Sequence, residues 1–119
     1  MAMYSNRIMP SDRVRPRRNA GERLRRALER LCEGQGCVLR HRETDWASIS
    51  FAGTRHTIDL RFEGAEGIAA GEEFITILPD YEFAIPGQLV VEAQIREVDH
   101  TLHPPLMLVS CEMLLLEDA

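Results

Sequence analysis

At 119 residues the chain has room for one domain and one hydrophobic core. Its 45% hydrophobic and 28% charged content places it with folded globular chains and excludes a disordered one. Net charge is −5, carried unevenly: residues 1–32 hold nine arginines against Asp12, Glu22 and Glu29, whereas residues 33–119 hold five arginines against sixteen acids. A basic stretch therefore precedes an acidic body, and the two are complementary to one another or to the same surfaces on a second copy. There is no lysine. Arginine is the better of the two cations for paired contacts to carboxylate or phosphate.

Residues 1–18 read as a basic arm. Pro10 and Pro16 interrupt it, and Arg13, Arg15, Arg17 and Arg18 repel one another, so no helix is expected there. Asn19-Ala20-Gly21-Glu22 has the spacing of a capping box, and Leu24, Ala27, Leu28 and Leu31 make one apolar stripe, predicting a helix that Gly34 or Gly36 stops. The single domain is expected to span residues 19–119.

Strands are expected beyond that helix. Cys37 to Arg42 alternates weakly and Trp46 to Ala52 well, with Ala47, Ile49 and Phe51 on one side. Gly53-Thr54 fits a two-residue hairpin turn, returning through His56 to Phe62 with His56, Ile58, Leu60 and Phe62 on one face. Three glycines make residues 63–71 a loop, and Phe74 to Leu78 a short strand stopped by Pro79. The segment Pro79 to Gly87, with Tyr81, Phe83 and Ile85, suits a short edge strand or a lid. Leu89 to Val98 alternates, placing Leu89, Val91, Ala93 and Ile95 together, while Leu106 to Leu116 is apolar on both faces. Asp99 to Pro105, with two adjacent prolines, is the loop between them.

These elements predict an α+β fold: one N-terminal helix packed on a curved, mainly antiparallel sheet of five to six strands, the last strand near its centre. One helix covers one face only, so the outer side of the last strand, through Leu106, Leu108, Leu114 and Leu116, is expected to meet a second copy as a homodimer. Arg13, Arg15, Arg17, Arg18 and Arg25 are the candidates for docking on an acidic protein surface. Nucleic acid is not expected, because aromatic residues do not interleave the arginines and the acidic body repels phosphate. A cavity between helix and sheet, lined by Leu28, Leu31, Ile58, Phe62 and Ile95, would suit a small ligand.

No nucleophile elbow, phosphate loop or dinucleotide fingerprint is present, so no catalytic residue, cofactor or enzymatic activity is nominated. His100 and His103 lie three apart in a loop beside Asp99, a spacing that reads as a solvated turn, and no metal site is expected. His56 reads as a hydrogen-bonded, partly buried histidine, and Asp59 and Arg61 as a surface pair. Cys32, Cys37 and Cys111 form no CxxC pair and read as free thiols. Together with an N-terminus lacking an apolar leader and no stretch long enough to span a membrane, they make a cytoplasmic location the expectation.

Two short segments carry a resemblance. Arg13-Val14-Arg15-Pro16-Arg17 resembles the RxxxR of PilZ domains, and Asp59-Leu60-Arg61-Phe62-Glu63-Gly64 is similar to their DxSxxG strand end, with Arg61 in place of the serine and a helix between the two segments. The resemblance implies binding of cyclic di-GMP.

Overall fold

The computed structural model describes residues 11–118, and their side chains from Ala20 onward. In chain order the elements are α1 (Ser11–Leu31), β1 (Gly36–Ala47), β2 (Ala52–Glu63), α2 (Gly64–Ile77), a single 3₁₀ turn (Leu78–Asp80), β3 (Gln88–Leu102) and β4 (Pro105–Glu117). The strands make one antiparallel sheet in the order β1-β2-β4-β3. The chain is thus two long hairpins, β1-β2 and β3-β4, joined edge to edge along β2 and β4.

The helix begins well before Asn19. Residues 11–18, expected as part of a non-helical arm, are helical, so Asn19 lies inside α1 rather than at its start. The first ten residues of the expected arm lie outside the described part. At the other end α1 closes in a Schellman motif: Gly34 N–H donates to Glu29 C=O at 2.9 Å and Glu33 N–H to Arg30 C=O at 3.0 Å. The left-handed position belongs to Glu33, at φ 56°, followed by Gly34 at φ 75°.

Four strands replace the five to six expected, for three reasons. Cys37 to Ala47 is one continuous strand, and the turn falls at Ser48 to Phe51, closed by Ser48 N–H to Phe51 C=O at 2.8 Å. Ile49 and Phe51, expected on a strand face, are at the exposed tip. Gly53 is no turn residue; it lies in β2, where a Cβ would fall 2.0 Å from the Leu115 carbonyl oxygen of β4. The third reason is α2: the glycine-rich stretch and the supposed strand Phe74–Leu78 form one helix that starts directly where β2 ends, Gly64 at φ 77° making the bend. Pro79 to Gly87 then runs irregularly, with one isolated bridge between Ile85 and Gln88.

Both helices lie on one face of the sheet. Leu24, Leu28 and Cys32 of α1, Phe74 of α2 and Leu78 after it meet Ile58, Leu60 and Phe62 of β2 and Met107, Val109, Cys111, Met113 and Leu115 of β4 in one core. Each large aliphatic or aromatic side chain enclosed this way stabilises the fold by about 1.5–3 kcal/mol. Gly67 and Gly71 of α2 sit over Phe62, whose ring is tilted 41° against Phe74 at a centroid distance of 6.0 Å. Helix α1 is tied to the approach to β3 where Arg23 Nη1 donates to the Pro86 carbonyl at 3.2 Å.

β4 is an interior strand, as its two apolar faces require, while β3 forms an edge. Two bulges in β3, at Val90/Glu92 and Ile95/Glu97, break the alternation read from sequence. Leu89 pairs with Leu116 and shares its outward side, while Ala93 and Ile95 pack towards the core. The β3-β4 turn is shorter than expected: only His103 and Pro104 lie between the strands, so Asp99 and His100 belong to β3.

Candidate functional site

Neither helix reaches the second face of the sheet, which is where this chain offers a surface. Its middle is a groove of about 340 Å³ lined by Leu39, Arg42, Asp59, Glu97, Asp99 and Leu108, among others. The register explains the gathering: Arg40 stands opposite Asp59, Arg42 opposite Thr57, and Asp99 opposite Leu108, so alternate residues of four strands share this side. Leu39, at a bulge in β1, is 51% exposed and Leu108 36%. Three carboxylates against Arg42 give the groove an acidic balance.

Towards the sheet end nearer Gly53, Glu112 of β4 accepts hydrogen bonds from Arg55 of β2 and, at 2.7 Å, from Arg96 of β3. Arg55 also reaches Glu92 at 3.5 Å. The Glu112 hydrogen bond, opposed by burial and joined by the Glu112 and Glu92 charges, holds the Arg55 guanidinium further above its usual range. Leu114, flanked in register by Arg55 and Glu92, is enclosed here. Of the four leucines expected to face a second copy, Leu108 is therefore exposed, Leu106 and Leu116 are half-buried, and Leu114 is buried. Asp59 and Arg61 do not pair with one another: Arg40 Nε lies 3.9 Å from Asp59, and Arg61 Nε 3.1 Å from Glu63.

The opposite charge is on α1, where eight arginines stand against Asp12, Glu22 and Glu29. Arg23, Arg25, Arg26 and Arg30 are exposed. The backbone of Arg13, Arg15, Arg17 and Arg18 lies in the first turns of the same helix, and their side chains are outside the described part. Of the residues expected to line a ligand cavity, Leu28, Ile58 and Phe62 are core residues and Leu31 and Ile95 pack against them. Cys32 and Cys111 are buried thiols pushed up to about 12, mainly by burial, with the Glu29 charge adding at Cys32 and Cys32 and Asp59 adding at Cys111. Cys37 is exposed.

A second cluster lies under α1. His41 and Glu43 occupy alternate positions of β1, Glu43 directly opposite His56 of β2, so all three point to the helix-covered side. His41 Nε2 and His56 Nδ1 are 2.9 Å apart, one donating to the other. Burial, reinforced by the His41 charge, lowers His56 to about 4; burial and the Arg25 charge lower His41. His56 thus has the hydrogen bond that its sequence position implied. Asp99, His100 and His103 do not join it: His100 pairs with Met107, which pairs with Phe62, six residues or about 20 Å along β2 from His56. The convergence of His41, Glu43 and His56 escaped the sequence reading, although an H-x-E pair on one strand and a histidine on the next were its visible trace.

No family model matches the chain, and no curated protein matches it. A chain from a structure of the virion of a native gene transfer agent particle is similar over 89% of this chain and 98% of its own length, at 13% identity and a TM-score of 0.50. At that identity the likeness concerns the fold. No helix among the described residues is long and apolar enough to cross a membrane.

Proposed function

We propose that this chain is a non-catalytic assembly module whose copies join head to tail, the basic helix α1 of one lying in the acidic groove on the open sheet face of the next. The observation that carries the reading is this one-sided sheet: helices cover one face, while the other leaves Leu39 and Leu108 beside Asp59, Glu97 and Asp99. Sizes agree with it. A four-stranded sheet about 19 Å wide and 40 Å long offers roughly 760 Å², of which one helix about 10 Å across covers less than half, so the contact is a small, salt-sensitive one. Helix α1, with 21 residues, is about 31 Å long and fits along it. Contact between unlike surfaces propagates, closing into a ring or extending as a filament. The similar chain comes from a particle described as a virion, which supports an assembly role.

Light scattering after size exclusion, across a salt series, tests this. Wild-type protein is expected to form oligomers that shrink as salt screens the charges. Arg26→Glu with Arg30→Glu, and separately Glu97→Arg with Asp99→Arg, should each give monomers. Mixed in equal amounts the two variants should assemble again, because the reversed helix of one and the reversed groove of the other are once more opposite in charge. A wild-type monomer at micromolar concentration in low salt, or an oligomer indifferent to both variants, overturns the reading.

A further inference from the structure

We propose that His41, Glu43 and His56 form a binding site for one divalent transition-metal ion of the zinc class. The inference stands apart from the assembly reading, since it concerns the opposite face of the sheet. Each of the three side chains offers a ligand atom, and these atoms lie within 4.8 Å of one another. Two imidazoles and one carboxylate suit a borderline-soft cation such as Zn²⁺, and three protein ligands leave a fourth position for water.

The geometry asks for small movements. On a tetrahedral ion with bonds of about 2.1 Å, neighbouring ligand atoms are roughly 3.4 Å apart. The 2.9 Å between the two histidine nitrogens therefore has to widen by about 0.5 Å, and the widest separation in the cluster has to close by about 1.4 Å. Glu43 is exposed, and its long side chain can supply the larger shift. The two rings are held on paired strands, so their spacing is fixed by the register rather than by a loop.

His56 is fully buried and offers the ion its Nδ1 edge, the one that faces His41. Access is also provided: a cavity of about 280 Å³, lined by His41, Glu43, Gly21, Glu22 and Arg25, opens beside the cluster. Gly21 keeps it clear, because a Cβ there would fall 2.5 Å from Glu43 Oε2. Arg25 faces the same cavity, and its charge opposes the cation, so it sets the affinity below that of an all-acidic surround.

The place in the fold gives the ion a role. The apolar core ends on β2 at Ile58, and beyond it the β1-β2 hairpin runs out to an exposed tip. A cation shared by His41, Glu43 and His56 staples the two strands where apolar packing stops.

Full-length protein stripped with chelator and dialysed is titrated with Zn²⁺ by calorimetry and with Co²⁺ by visible absorption, the latter reporting tetrahedral coordination. One ion per chain is expected, with a zinc-dependent rise in melting temperature. Glu43→Gln and His41→Asn, both at non-core positions, should each weaken binding about tenfold or more, and the double variant should abolish it. Arg25→Ala should tighten it. Absence of saturable binding to the wild type overturns the inference, and so does undiminished binding to a folded double variant, which would place the ion elsewhere, for instance at Cys37.

Discussion

The same substitution at two glycines one turn apart should have opposite effects. Gly67 and Gly71 both lie inside α2, where alanine is worth about 1 kcal/mol over glycine through backbone entropy. At Gly67 an added Cβ meets nothing nearer than the Phe62 carbonyl carbon at 3.4 Å, an ordinary contact, so Gly67→Ala should stabilise by close to that full amount. At Gly71 the same atom falls 2.9 Å from Phe62 Cγ and 3.0 Å from Met107 Sδ. Met107 can adjust, but the Phe62 ring is fully buried and has nowhere to go. Overpacking of this kind costs about 1–3 kcal/mol, which leaves Gly71→Ala destabilised by roughly 0–2 kcal/mol after the helical gain. In a chain of this size 1 kcal/mol corresponds to a shift of about 4 °C, so the two variants should melt on either side of the wild type in circular dichroism. If Gly71→Ala stabilises as much as Gly67→Ala, α2 does not rest on Phe62, and the account of the core fails.

Three more outcomes follow from named contacts. Glu33→Gly relieves the left-handed residue in the Schellman motif and should raise stability by about 1 kcal/mol in urea melts; a loss would mean α1 ends differently. Glu112→Ala strips the shared acceptor from Arg55 and Arg96 and should cost about 1–2 kcal/mol, whereas Arg96→Ala, on an exposed partner, should cost under about 0.5 kcal/mol. Equal costs would show that the three residues do not act around Glu112. Native protein at pH 8 should take up one thiol reagent per chain, at Cys37, and all three thiols only on unfolding, because Cys32 and Cys111 are enclosed and pushed up to about 12. Rapid labelling of two or more would contradict their burial.

Much of the fold was legible from local pattern. The stripe Leu24, Leu28, Leu31, the face His56, Ile58, Leu60, Phe62 and the two-sided apolarity of β4 each reported its setting, because burial imposes periodicity. Helix α2 was missed although Gly67, Gly71, Phe74 and Leu78 recur at helical spacing. Glycine at such sites is chosen for close approach to Phe62, and that reason is tertiary, invisible to propensity. Val91 misled in the other direction: a bulge leaves it exposed where alternation had put it inside. The arginine-rich start of α1 was read as an arm since like charges and Pro16 argue locally against a helix. The open sheet face was anticipated in kind, but not its acidic groove, which gathers Asp59, Glu97 and Asp99 from two strands. His41, Glu43 and His56 come together only through the β1-β2 register, which the misplaced turn at Gly53 obscured.

Long, flat outermost strands invite strangers to add on, and here both are long, at 12 and 15 residues. Both are also crimped, β1 once and β3 twice, and studded with charge at Arg40, Glu43, Asp45, Glu92, Arg96 and Glu97. Backbone-to-backbone extension of the sheet is thereby discouraged, and cross-β stacking with it. With both margins guarded in this manner, contact with another chain is steered towards side chains and away from strand addition.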